Sequence, residues 1–113
     1  MTSQVRRAQH GDEDALVELR AEMFRAMDVL GGDDTWRSNA RRWFEQHLND
    51  PGCGIFVVIE SGRVVACAMG LLRDAAPSPT SPDGGDVLIS NVCTVPEHRG
   101  RGHGRAAFEA VVH

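Results

Sequence analysis

The segment Val92-Cys93-Thr94-Val95-Pro96-Glu97-His98-Arg99-Gly100-Arg101-Gly102-His103-Gly104-Arg105 constrains this chain more than any other. An apolar, β-branched run passes through a short turn into glycines at every second position, and a helix-forming segment follows. Glycine lacks a Cβ, so a ligand or another stretch of backbone can come close to such a loop. A helix that opens directly after it offers main-chain N–H groups and the positive end of its dipole, which together suit a phosphate. Arg99, Arg101 and Arg105 add charge to the same loop.

The segments before it alternate in character. Residues 4–8 can form an opening strand, and Gly11-Asp12 punctuates the chain, with Asp12 a candidate N-cap. Leu16, Leu19, Met23, Met27 and Leu30 recur at helical spacing, which predicts a helix over 13–27 that Gly31-Gly32 ends. A second helix is predicted over 35–48, with Trp36, Ala40, Trp43, Phe44 and His47 on one face, and Asn49-Asp50-Pro51-Gly52 stops it. Residues 55–60 and 63–72 flank the short turn Ser61-Gly62 and read as an antiparallel hairpin. The Pro-, Ser-, Gly- and Asp-rich residues 73–86 form a mobile loop, 86–95 a third long strand, and 105–112 the start of a helix. The order is β-α-α-β-β-β-α, an α/β (α+β) arrangement in a single domain over 1–113.

Composition removes several classes of partner. The formal net charge is −4, so no basic field draws the chain to nucleic acid or to an anionic membrane. All 12 basic residues are arginine, which excludes Schiff-base chemistry and the lysine of a phosphate-binding P-loop. Cys53, Cys67 and Cys93 are odd in number and widely spaced, and they match no disulfide framework or zinc pattern; Cys67 and Cys93 lie in apolar runs and read as reduced, buried thiols. No metal site is predicted. No segment reaches the roughly 18 apolar residues of a membrane span, and the N-terminus has no signal-peptide apolar region, which points to a cytoplasmic protein.

The glycine loop itself departs from the better-known phosphate motifs. A dinucleotide fingerprint needs G-x-G-x-x-G, and a P-loop ends in GK[ST]; neither is present. Arg-Gly tracts that bind RNA are longer, and this chain has few aromatic residues to stack bases. The constellation Val92-x-Thr94, Pro96, then Arg99-Gly100-x-Gly102-x-Gly104 instead resembles the signature of the GCN5-related N-acetyltransferase (GNAT) family, R/Q-x-x-G-x-G/A, in its fuller form P-x-x-R-G-x-G-x-G. The order of elements is similar to the first half to two-thirds of that fold, a mixed and mostly antiparallel sheet. The later strands and helix are then missing beyond His113.

The resemblance implies acetyl-coenzyme A as co-substrate. Its pantetheine would add to the exposed backbone of Val92, Cys93 and Thr94, on a strand that the family bulges and splays. Its pyrophosphate would lie on the main chain of Arg99, Gly100, Arg101, Gly102, His103, Gly104 and Arg105, with Arg99 and Arg101 offering charge-assisted bonds. Transfer would be direct, from the thioester to an amine, with a backbone N–H near Thr94 polarising the carbonyl.

No catalytic residue can be named. Ser90 and Asn91 are poor bases, which favours deprotonation through water, and the tyrosine that the family uses as general acid has no counterpart in a chain with no tyrosine. Glu60 and Asp86 read as solvated strand ends, His98 and His103 as loop histidines, and covalent transfer through Cys93 lacks an assignable base. The acceptor is a small-molecule or peptide amine, selected by the two N-terminal helices and the 73–86 loop; Asp28, Asp33 and Asp34 read as a solvated acidic cluster. Truncation, completion by a second copy in a homodimer, and a catalytically incomplete coenzyme A-binding or interaction module remain open.

Overall fold

Ser61 and Gly62 take φ values of 54° and 77°, the pair of left-handed conformations that a two-residue type I′ turn requires. They join β2 (Cys53–Glu60) to β3 (Arg63–Arg73). The computed structural model describes residues 3–79 and 81–112. Around this hairpin, β1 (Ser3–Arg7) pairs with the far side of β2 and β4 (Asp86–Thr94) with the far side of β3, giving the order β1-β2-β3-β4. All three pairings among the described residues are antiparallel, as the mostly antiparallel sheet of the resemblance leads one to expect.

Helices cover both faces of the sheet. Strand alternation turns Cys67, Met69 and Leu71 of β3 to one face and Ala66, Ala68 and Gly70 to the other. The first set meets α1 (Glu13–Ala26) and α2 (Thr35–His47); Met69 and Leu71 line one cavity with residues of both helices. The second set meets α3 (His103–Val112), whose Val111 stands over Gly70. Leu16 and Leu19 of α1, Phe44 of α2, Ile55, Val57 and Val58 of β2, and Ala107 of α3 are all buried in the resulting core.

The ends of α1 differ from expectation. Asp12 occupies the N-cap position but makes no capping bond. Its carboxylate instead takes both guanidinium nitrogens of Arg6, at 2.7 and 3.1 Å, and the Gln9 N–H at 2.8 Å. Burial pushes the Asp12 carboxyl up, but these bonds outweigh it and hold the group below its usual range. At the other end, α1 stops at Ala26, well before Gly31-Gly32. Asp28 takes φ 58°, and Asp28 N–H and Val29 N–H bond back to Arg25 O and Phe24 O. This is a Schellman closure with aspartate in the left-handed position usually held by glycine, and Met27 is left exposed.

The 73–86 loop is tied down. Arg73 grips Asp86 through two bonds of 2.8 Å, Ser78 and Ser81 exchange main-chain bonds of 3.0 Å, and Gly85 N–H bonds Ala75 O.

Two irregularities shape the sheet. β3 carries Val65 as an extra residue between the Val58–Ala66 and Ile59–Val64 pairs. In β4, Cys93 pairs with Cys67 and Ser90 with Met69, so Ala68 faces both Asn91 and Val92. That is the bulge the resemblance implied, on the strand where it was expected.

α3 approaches the sheet through a missing side chain. A Cβ on Gly70 would overlap Val111 Cγ1 and stand 2.9 Å from Val87 Cγ1, whereas one on its cross-strand partner Gly54 would meet only the Phe56 ring at 3.5 Å. Gly70→Ala is therefore expected to destabilise by about 1–3 kcal/mol through overpacking, and Gly54→Ala by less than about 1 kcal/mol. Urea unfolding of both variants checks the difference.

Candidate cofactor and active site

The three glycines of the loop are needed for different reasons. Gly100 and Gly102 have φ of 83° and 79°, a region that side chains resist. A Cβ on either would meet nothing within 4 Å, so the space in front of both is open. Gly104 instead faces the protein: a Cβ there would stand 3.3 Å from Thr94 Oγ1 and 3.6 Å from Val92 Cγ1. Its role is to seat the first turn of α3 against β4.

The loop leaves β4 through Val95 and a 3₁₀ turn at Pro96–His98. α3 then begins at His103, earlier than the expected residue 105. Its first helical bond runs from Ala106 N–H to Gly102 O, at 2.9 Å. The N–H groups of His103, Gly104 and Arg105 therefore have no acceptor inside the helix. They form a compact set of donors at the positive end of its dipole.

Glu60, at the end of β2, corrects the expectation of a solvated carboxylate. Its side chain is 13% exposed and gathers three groups from the loop. His103 Nε2 lies 2.6 Å from Oε2, Arg101 donates to Oε1 at 3.0 Å, and His98 Nδ1 is 3.4 Å from Oε2. Arg101 also reaches His98 Nδ1 at 3.2 Å. Partial burial pushes the Glu60 carboxyl up, but the His103 bond and the charges of its neighbours hold it below its usual range. Donor atoms of Glu60, His98 and His103 lie within 4.8 Å of one another, spacing that a metal ion could use. The Arg101 guanidinium already supplies the cation there. His103 is thus a buried anchor, contrary to its reading as a loop histidine, and only its main chain is directed to the donor set.

β4 is the last strand of the sheet, so one edge of its backbone has no strand beside it among the described residues. Val95 N–H donates inward to Val65 O at 2.9 Å. By alternation, Thr94 turns its N–H and C=O to the outer edge, and Arg99 Nε donates to Thr94 O there at 3.2 Å. An outward N–H, a bulge and a helix N-terminus thus follow one another along a single edge.

The sequence profile of the acetyltransferase (GNAT) family matches residues 14–113. This chain belongs to the GNAT acetyltransferase family. Solved structures agree in fold. A predicted acetyltransferase from Clostridium acetobutylicum, solved with acetyl-CoA, is 22% identical with a TM-score of 0.80, covering 98% of this chain and 71% of that one. A GCN5-related N-acetyltransferase from Ralstonia eutropha is 24% identical with a TM-score of 0.76, covering 98% and 74%. AAC(6')-Iy, in complex with the bisubstrate analogue CoA-S-monomethyl-acetylneamine, is 16% identical with a TM-score of 0.74, covering 99% and 70%. No curated protein matches the chain.

The residues that the resemblance assigned to the cofactor lie around this edge. Val92, Cys93 and Thr94 lie on β4 at and after the bulge, and the stretch from Arg99 to Arg105 forms the loop and first turn of α3. The structure brings these together on one side of the sheet. It directs Arg101 to Glu60 and Arg99 to Thr94, while Arg105 is exposed and pairs with Glu109.

Cys93 is only 6% exposed and shares a thiol–thiol hydrogen bond with Cys67 opposite it. That bond, together with burial, pushes the Cys67 thiol well up, and the same bond draws the Cys93 thiol down. The charges acting on Cys93 come from Arg20 and Arg99. The acidic cluster serves helix ends: Asp33 holds Thr35, and Asp34 lies 3.5 Å from Arg37. Sequence reasoning missed Glu60. Its signal was an acidic residue ending a strand beside two loop histidines, which only the topology brings together.

Glu60→Ala is expected to accelerate amide exchange across residues 98–105 by about tenfold or more, leaving the β2–β3 hairpin unchanged. The folded carboxyl titrates below its ordinary value of 4.5. The anchor is therefore at full strength above that pH and is lost as pH falls through the lower folded value. Protection factors, each referred to the intrinsic exchange rate at the same pH between 7 and 3, check both, and Glu60→Gln should remove the loss of protection that follows Glu60 protonation.

Proposed function

We propose that this chain transfers the acetyl group of acetyl-CoA directly to the amine of a small molecule or peptide, as a cytoplasmic enzyme. The observation that carries the reading is the unbroken run from the bulged outer edge of β4 to the donors at the start of α3. A pantetheine amide can pair with an unfilled strand edge in the manner of an added strand. A pyrophosphate fits the N–H groups of His103, Gly104 and Arg105, with open space before Gly100 and Gly102 for its approach.

Acetyl-CoA supplies an acetyl group activated as a thioester. The chain's own residues position and polarise it. The outward N–H of Thr94 is available to a carbonyl oxygen on which negative charge develops during attack. In the overall step a C–N bond forms and the C–S bond breaks; the amine loses one proton, and the departing thiolate takes one up. Ser90 cannot act as a base at neutral pH, and Cys93 is buried on Cys67. Proton loss therefore passes to water, or precedes binding. The Glu60 anchor keeps the loop in place while Arg101 is held away from the donors.

Gly102→Asp puts negative charge and a side chain into the open space before the donors. Acetyl-CoA affinity, measured by calorimetry, is expected to fall at least about tenfold. An unchanged affinity would contradict the cofactor assignment. Thiol release with an amine would support turnover, whereas tight acetyl-CoA binding without release for any amine class would favour a coenzyme A-binding module.

A further inference from the structure

Between α1, α2 and the sheet lies a cavity of about 890 Å³, within the range of roughly 300–1,000 Å³ typical of small-molecule sites. Phe24 of α1, Trp36, Trp43 and Phe44 of α2, and Met69 and Leu71 of β3 form its walls. The rings brace one another edge to face: Phe24 against Trp36 at 5.5 Å, and Trp43 against Phe44 at 5.6 Å. Ser90, which directly precedes the Asn91–Val92 bulge, also lines it. The cavity therefore borders β4 next to the strand edge that the acetyl-transfer reading assigns to the thioester.

The charges in the cavity select against polycations. Asp33 is the one carboxylate among its described residues, and that carboxylate is turned to Thr35, whose N–H and hydroxyl it accepts at 2.9 and 2.6 Å. Arg20 contributes a cation, its guanidinium 4.9 Å above the Phe24 ring. A polyamine or aminosugar would lose water around several charges here and gain few partners. An apolar wall next to a fixed cation also lowers the pKa of a bound amine. The neutral, attacking form is then favoured where no side-chain base stands.

Resting on the acetyl-transfer reading above, which already sets the acceptor against α1 and α2, we infer that the acceptor taken by this cavity is a monoamine carried on an aromatic body. The rings of Phe24, Trp36 and Trp43 supply the edge-to-face contacts that such a body seeks.

Trp36 and Trp43 are the only 2 tryptophans of the chain, and both line the cavity, so intrinsic fluorescence reports on this site. Titration with 2-phenylethylamine, spermidine and glucosamine, without acetyl-CoA, is expected to give a saturable change with the first. Its affinity should exceed that for the others by about tenfold or more. Ala40→Phe, which fills the cavity, should weaken phenylethylamine binding by at least about tenfold and leave acetyl-CoA affinity unchanged. Trp36→Leu, with Trp43 as the remaining reporter, should act in the same direction if Ala40→Phe does not fold. Thiol release with acetyl-CoA should rank the three amines in the same order. Tighter binding of spermidine or glucosamine, no saturable response to phenylethylamine, or indifference to both substitutions would overturn the inference. A phenylethylamine response that survives where acetyl-CoA does not bind at all would support the aromatic-amine site and remove the acetyl-transfer reading instead.

Discussion

The close seat of α3 on the sheet is the constraint on which the rest depends. Gly70 admits Val111 at one end of the helix, and Gly104 admits Thr94 at the other. With both ends fixed, the chain must turn from Thr94, the last residue of β4, into the first turn of α3 across residues 95–102. Positive φ at Gly100 and Gly102 makes that turn. The helix N-terminus is thereby held beside the free edge of β4. Two main-chain features, a strand edge and a set of unpaired donors, become one continuous surface.

Such a surface is useful only if the loop keeps its shape without ligand. Glu60 provides that by drawing Arg101 and His103 from across the loop, with His98 close by. One carboxylate thus holds the loop from within the protein, and the cost of ordering the loop is met at folding. On the opposite face, the aromatic walls of α1 and α2 stand over Met69 and Leu71. In the proposed reading, cofactor and acceptor approach the same strand from different directions and come together near Ser90 and the bulge.

Much of this was legible in the residues. The β2–β3 hairpin followed from Ser61-Gly62 between two apolar runs, because so short a connection can only join antiparallel strands. The amphipathic face of α2 followed from Trp36, Ala40, Trp43 and Phe44, since their spacing leaves only one side for a core. The motif from Arg99 to Gly104 gave the family, and with it the bulge in β4. What local pattern could not show were features set by tertiary contact. Asp28 took the left-handed position that the following glycines had seemed reserved for, ending α1 early. Asp12 served Arg6 of β1 in place of its own helix. Glu60 read as solvated because its three partners come from a distant loop that the sheet brings back over the end of β2. The aromatic cavity was equally hidden, because its walls come from α1, α2 and β3.

The central claim is that acetyl-CoA lies along the edge of β4 and ends on the donors of α3. Amide chemical shifts of isotope-labelled protein, followed while acetyl-CoA is added, test it most directly. The account predicts that the largest changes fall on Thr94 and on Gly100 through Arg105, with smaller ones along Val92 and Cys93. Saturating shifts confined to α1 and α2, with the amides of 94 and 100–105 unmoved, would contradict it.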